Sequence, residues 1–371
     1  MNNLTYSKTP GVYFTESVEA SVTPEAIRPC FIVQTSTTIA AIDDQLVKFD
    51  DVASFKTVIG ENLPKSYKFI NQAITEETGD NGTGFYVYSI KTDTADAFRA
   101  ILTETINKPF IKKFTYIEET ASSTNGLDDK ITALNGGAVE CARRGVNRLV
   151  TVVPYGTVAT AISGATSGTP VQTTIINTLK TGIYDENLSY GRVVVVVPTE
   201  DCGIAVGRIN ATPFYEEPGY KQFNTSINAL DVEFTPSQVL TLQNYGFVVI
   251  AQEAYAGTEI YRINLGATLA FSKTTNTRDG LIISRSIADE LLTQVAYICQ
   301  TYIKRIEGEQ TINDINDEIT EVVGEFIDEG YVEPTTYLGA TAGPQYTVQL
   351  KGEILPYGCI IAINVDTILG A

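Results

Sequence analysis

The chain has 371 residues, with 44 acidic and 26 basic side chains, a formal net charge of −18 and no histidine. That length suits roughly two or three domains, and the acidity argues against a nucleic-acid binder, which needs a basic face. Without histidine there is no Ser-His-Asp or Cys-His nucleophile pair, and the imidazole ligands that zinc usually takes are missing too.

Cys30, Cys141, Cys202, Cys299 and Cys359 are scattered without CxxC spacing, which fits free thiols in a reducing compartment. No apolar run reaches the roughly 18 residues of a membrane span. MNNLTYSKTP lacks the basic-then-apolar order of a secretory signal.

Residues 1–29 read as an extended arm broken by Pro10, Pro24 and Pro29. Pro10 fixes φ and donates no hydrogen bond, and Gly11 loosens the backbone beside it. Val12, Tyr13 and Phe14 then suit a strand. A strand this apolar at a chain end, where chains fray, calls for a partner.

Residues 30–107 read as a smaller α+β domain. Phe31-Ile32-Val33 starts it. Phe49 to Gly60 reads as a short helix, with Phe55 inward and Gly60 closing it. A second helix covers about 64–77, GDNGTG (79–84) turns, FYVYSI (85–90) is a strand, and 93–105 is a helix.

Residues 108–345 read as an α/β core. The stretch 108–125 is weakly patterned. A helix at 128–144 leads to a strand at 148–154, and ATAISGATSG (159–168) reads as a small-residue loop. Thr169-Pro170 opens a helix with Val171, Ile175, Ile176 and Leu179 on one face, stopped at Gly182. RVVVVVP (192–198) is a strand buried on both faces. Thr235 to Gln238 is a capping box for a helix ended by Gly246, and FVVIAQ (247–252) is the next strand.

Two long helices follow, at about 284–306 and 311–328. The first keeps Ile287, Leu291, Val295, Ile298, Tyr302 and Ile306 in phase. Lys304 lies roughly opposite that stripe and Arg305 at its edge. The second buries Ile312, Ile315, Ile319, Val322 and Phe326. Residues 346–371 close the chain as strands and an arm: YTVQLKG (346–352), then the apolar CIIAINVD (359–366). The fold class expected is α/β. A mainly parallel, helix-covered sheet forms the core, with a smaller α+β domain and extended N- and C-terminal β-arms.

Candidate chemistry is thin. ISGATSGT (162–169) has spaced glycines without the lysine a phosphate loop needs, so it reads as a loop. DINDEITEVVGE (314–325) offers Asp314, Asn316, Glu318 and Glu325 at calcium-loop positions, but its sixth residue is Ile319 and its apolar phase is helical. Cys202 follows a strand end without a base and reads as a small packed residue. Glu216-Glu217, between Pro213 and Pro218, reads as a solvated loop. Lys304-Arg305 suits a helix C-terminus through the dipole, or a contact with a partner. No catalytic residue, cofactor or metal is expected.

Thr9-Pro10-Gly11-Val12-Tyr13 matches an opening TPGVY. Phe55 with Gly60, Phe69, and Gly82 to Val87 follow a helix, helix, glycine-turn, strand pattern. Ala205 to Arg208 with Pro213 and Pro218-Gly219, and Leu240 to Ile250, supply two further segments. In these the chain resembles the tail sheath proteins of contractile phage tails and related contractile injection particles, including R-type bacteriocins.

The resemblance implies a structural subunit and no enzyme. Subunits would stack as hexameric rings around an inner tail tube protein, meet baseplate and tail terminator proteins, and contract to drive the tube through a cell envelope. Val12, Tyr13 and Phe14, and Ile360, Ile361 and Ile363, would be arm strands shared between subunits, with Pro10 and Gly11 as hinge. Lys304 and Arg305 would face the tube. Neither nucleic acid nor membrane insertion is implied. The particle would be assembled in the host cytoplasm. Another self-assembling shell, a surface-layer protein or an α/β enzyme are the alternatives.

Overall fold

Strands with valine at every position have no polar face to give to water, so they belong inside a sheet covered on both sides. Val193–Val196 is such a strand, and Leu149–Val153, with Thr151 as its one polar residue, is buried throughout in the same way. The computed structural model describes residues 28–60, 62–78, 84–91, 94–108, 110–121, 126–183, 190–219, 221–227, 229–255, 258–271, 280–302, 309–343 and 348–357.

Seven strands form one sheet: β1 (Cys30–Gln34), β2 (Val47–Phe49), β3 (Phe85–Ile90), β4 (Lys113–Glu118), β5 (Leu149–Val153), β6 (Val193–Val196) and β7 (Phe247–Val248). Their order is β2-β3-β1-β4-β5-β6-β7. All pairs are parallel except β2 with β3. Because β1 pairs with both β3 and β4, the boundary expected at 107/108 runs through a single hydrogen-bonded sheet.

The helices are α1 (Val52–Ile59), α2 (Pro64–Thr78), α3 (Ala95–Glu104), α4 (Leu127–Arg143), α5 (Tyr155–Ser163), α6 (Val171–Ile183), α7 (Cys202–Ala211), α8 (Pro236–Asn244), α9 (Ile282–Thr301) and α10 (Glu309–Asp328). Side chains alternate across β1. Phe31 and Val33 join α1, α2 and α7 in one core, while Cys30 and Ile32 join α3, α4, α6 and α8 in another. Asp51 and Thr94 cap α1 and α3, and the capping box of Thr235 and Gln238 starts α8. Gly246, with φ +74°, ends α8 in the left-handed region, where glycine carries no Cβ penalty.

α7 packs against α2 with almost no space between backbones. A Cβ on Gly203 would stand 2.5 Å from the Phe69 carbonyl oxygen, and one on Gly207 would overlap that of Ala73. Beside this contact Arg208 donates to Glu76 at 2.6 Å, and Glu76 also accepts the backbone N–H groups of Asn224 and Thr225.

Several expectations are corrected. The weakly patterned 108–125 stretch contains β4, a central strand. Its buried Thr115 and Glu118 interrupt the apolar run that would have revealed it. The loop expected at 159–168 is helical as far as Ser163. Its helix is anchored by tertiary contact, because the Glu118 carboxylate accepts the Thr157 N–H at 2.6 Å, in the first turn where negative charge is favoured. Gly182 lies within α6, and Val171 is exposed.

The strand expected at 247–252 is two strands. The chain leaves the sheet at Val249, whose backbone is held by Asn264, and β8 (Ile250–Tyr255) pairs with β9 (Thr258–Ile263). In α10 Val323 is buried and Val322 only partly, while Ile315, Ile319 and Phe326 are buried as expected.

α9 and α10 share a third core with Leu291, Val295, Ile315, Ile319 and Phe326. Polar contacts hold α9 across the N-terminal ends of β4 to β6. Asp289 pairs with Arg192 at 2.8 Å, Glu290 with Lys112 at 3.0 Å, and Asn147 donates to the Asp289 carbonyl at 2.9 Å. After α10 the chain forms the antiparallel pair β10 (Tyr337–Ala342) and β11 (Val348–Glu353).

Candidate assembly surface

Open parallel sheets take ligands at the carboxyl ends of the strands where the strand order reverses. Here that point lies between β1 and β4, and the protein's own side chains close it. Lys130 of α4 reaches Glu118 at 2.7 Å and the Gln34 side-chain Oε1 at 3.1 Å, and Tyr116 donates to the same oxygen. Lys130 and Glu118 are fully buried. Next to them Glu119 accepts from Ser66, through its N–H at 2.8 Å and its hydroxyl at 2.5 Å.

The other candidate groups have structural partners. Cys202 begins α7 fully buried, its thiol pushed up to about 12 by burial, with its sulfur 2.7 Å from the Tyr155 hydroxyl. A thiol kept protonated at neutral pH is no nucleophile. Glu216 pairs with Lys221. Glu217 is half-buried and accepts the N–H groups of Gly266 at 2.5 Å and Gly219 at 3.2 Å, so it pins its loop in place. Residues 314–325 form a continuous stretch of α10, in which Glu318 accepts from Tyr302 and Asn316 turns to β10.

That last contact lies beside the most exposed secondary structure among the described residues. Every residue of β11 is exposed. Val348 and Leu350 are apolar side chains 38% and 39% exposed, and Tyr337 on β10 is 61% exposed. One face of the hairpin overlooks α9 across a cleft of about 400 Å³, lined by Ser284, Ala288 and Leu292 and by Leu338, Leu350 and Gly352.

The two outer edges differ. The Asn316 side-chain amide accepts the Ala340 N–H at 2.6 Å and donates to the Ala340 carbonyl at 3.1 Å, as a neighbouring strand would. Because both Ala340 groups turn toward α10, the residue opposite, Leu350, turns its own N–H and carbonyl away from β10. The outer edge of β10 is covered at Ala340, and Leu350 presents its backbone outward on an exposed strand.

The sequence-selected arm residues, Pro10, Gly11, Val12, Tyr13, Phe14, Ile360, Ile361 and Ile363, lie outside the described residues, as do Lys304 and Arg305. Sequence reasoning missed β10 and the role of Asn316. Gly339-Ala340-Thr341-Ala342 carries no strand signal, and a side chain aimed at a strand edge leaves no periodic trace. No helix among the described residues is long and apolar enough to cross a membrane.

No known family profile matches the sequence, and no curated protein matches it. Solved structures do. The helical sheath of the anti-feeding prophage in its contracted state matches with a TM-score of 0.61 and 12% identity, over 97% of this chain and 99% of that one. The contracted PVC sheath complex of an extracellular contractile injection system matches with 0.63 and 10%, over 99% of each chain. A sheath tail protein from Listeria innocua matches with 0.58 and 9%, over 91% of this chain and 94% of that one. Over nearly its whole length, the chain has the fold of the contractile sheath proteins.

Proposed function

We propose that the chain is a tail sheath subunit. It polymerises as stacked hexameric rings around an inner tube, in a phage tail or a related particle, and contracts to drive that tube through a cell envelope. The observation that carries this reading is the end-to-end likeness to subunits of contracted sheaths. The crevice closed by Lys130 and Glu118 supports a non-enzymatic role.

Residues 1–29 serve as one arm in this reading, and the part of 346–371 that follows β11 as the other. Val12, Tyr13 and Phe14, with Ile360, Ile361 and Ile363, are strands lent to neighbouring subunits, and Pro10 and Gly11 form the hinge. Head-to-tail joints of this kind propagate into a helical filament or a stack of rings. Contraction is driven by better-packed subunit contacts in the final state, behind a kinetic barrier. Lys304 and Arg305 face the tube through contacts weak enough to break, so they are salt-sensitive. Baseplate and terminator proteins bound the stack, and assembly takes place in the host cytoplasm.

Electron microscopy of the purified chain beside a form lacking residues 1–20 tests the proposal. Striated hollow tubes are expected from the first and none from the second. Monomers in both samples would end the sheath reading. With a tube protein present, K304E is expected to lose sheath-on-tube assembly. Unchanged assembly would remove Lys304 from the tube contact.

A further inference from the structure

A helix leaves its last carbonyls without partners, and a cation placed there holds them through hydrogen bonds and the helix dipole. α7 ends on such a cation. Lys113, at the start of the central strand β4, donates from Nζ to the carbonyls of Ile209 at 2.6 Å, Asn210 at 2.7 Å and Thr212 at 3.4 Å. These bonds take up all three hydrogens of the ammonium. Glu77, near the end of α2, faces the same spot, with Asn210 beside it. Its buried Oε2 meets no hydrogen-bond partner among the described residues. An acceptor without a donor thus stands by a donor committed elsewhere. From this we infer that Lys113 is a two-position latch set by the proton on Glu77. With Glu77 protonated it holds the end of α7; with Glu77 ionised it turns to the carboxylate and lets that last turn go. The inference concerns the single folded chain and stands apart from the sheath reading.

The neighbouring charges are already engaged. Glu76, beside Glu77 on α2, is held by Arg208 of α7 at 2.6 Å and by the N–H groups of Asn224 and Thr225. Lys112, beside Lys113 on β4, is held by Glu290 of α9 at 3.0 Å. Lys113 is the cation that acts on Glu77. Burial pushes the Glu77 carboxyl up to about 7 and the Lys113 ammonium down to about 8. Rising pH therefore ionises Glu77 first, while Lys113 still carries its charge, and an ion pair away from water is favoured. The end of α7 leads directly to the α9–α10 unit. Thr212 is followed by Pro213, which fixes φ, and then by Phe214 and Tyr215. Phe214 lies against Phe326 and Tyr331, with ring centroids 6.1 and 5.4 Å apart, and Tyr215 stacks on Tyr331 at 5.9 Å. Because β4 is fixed in the middle of the sheet, the latch decides whether this aromatic contact is tied to the sheet.

Amide hydrogen exchange on the full chain, kept dilute, tests the latch. Protection factors, with the intrinsic effect of pH divided out, are compared at about pH 6 and about pH 7.5, either side of the Glu77 titration. The Thr212 amide, which closes the last turn of α7 on the Arg208 carbonyl, is expected to lose protection about fivefold at the higher pH. The Tyr331 amide, bonded to the Phe326 carbonyl, is expected to follow it, and Val195 in β6 to stay unchanged. Equal protection of Thr212 at both pH values would overturn the latch. A fall at Val195 as well would show that the whole fold loosens, and would overturn it too. A fall at Thr212 without one at Tyr331 would overturn the link to α10.

E77Q in the full chain is the second arm. It keeps the shape of the protonated carboxyl and cannot ionise, so Thr212 is expected to stay protected at both pH values. The same fall in E77Q as in the parent would place the response on the Lys113 ammonium alone and overturn the role of Glu77. K113M is expected to leave Thr212 poorly protected at both pH values, and full protection there would show that Lys113 does not hold α7. Circular dichroism confirms that the variants fold, and the parent with E77Q decides the matter if K113M does not.

Discussion

Lys130 meets Glu118 at 2.7 Å with both side chains shut off from solvent, at the point of the sheet where folds of this layout usually hold a ligand. The pair also organises its surroundings, because the second Glu118 oxygen holds the first turn of α5 and Lys130 shares the Gln34 oxygen with Tyr116. A buried pair of this kind stabilises little over an apolar replacement, yet breaking it strands a charge.

K130M leaves the Glu118 carboxylate buried against an apolar side chain. The expected loss is about 3–5 kcal/mol. Urea denaturation checks it, through a lower midpoint at unchanged slope. The double variant E118Q/K130M is expected to recover part of the loss.

Two glycines in helices are expected to respond oppositely to alanine. G207A drives a methyl into the Ala73 carbonyl and pushes α7 off α2, at a cost of about 1–3 kcal/mol or more. Gly324, inside α10, has nothing within 4 Å of its missing Cβ, so G324A is expected to stabilise by about 0.5–1 kcal/mol. Thermal melts of both variants beside the parent distinguish packing from propensity.

Glu77 titrates near neutrality. Burial pushes its carboxyl up to about 7, against the opposing pull of the Lys113 ammonium. The folded chain therefore keeps a proton that the unfolded chain gives up between about 4.5 and about 7. Stability from this group is full below that window and is lost as pH rises through it. E77Q is expected to match the parent near pH 4 and to exceed it at pH 8 by up to about 3 kcal/mol. Denaturation midpoints at the two pH values settle the sign.

Asp289 holds α9 to the sheet through Arg192 and is also 3.0 Å from Arg285. D289A leaves Arg192, which is almost fully buried, without its carboxylate, and a loss of about 3 kcal/mol is expected. Faster amide exchange is expected in α9 ahead of β5 and β6, since the helix loses its tether while the sheet keeps its ladder. Uniform acceleration across the chain would show that the two parts do not open separately.

The sequence by itself determined most of the elements that carry their own periodicity or caps. The valine runs of β5 and β6, the apolar stripes of α9 and α10, and the capping box at Thr235 are local signals, so they hold wherever the segments pack. The same local chemistry excluded histidine-based catalysis and pointed to sheath proteins through short motifs such as Thr9 to Tyr13.

Tertiary structure decided the rest. β4 can be a central strand with a buried carboxylate because Lys130, twelve residues along from Glu118, meets it in space. α5 is a helix where small residues alone suggested a loop, because that same carboxylate holds its first turn. The single sheet across residues 30–34 and 113–118 follows from pairing between strands some eighty residues apart. Asn316 covers Ala340 across 24 residues of chain, and with it the difference between the two hairpin edges arises. Each depends on a polar group finding its partner at long range. The propensity of single residues does not encode that partner, and only the assembled core brings it within hydrogen-bonding distance.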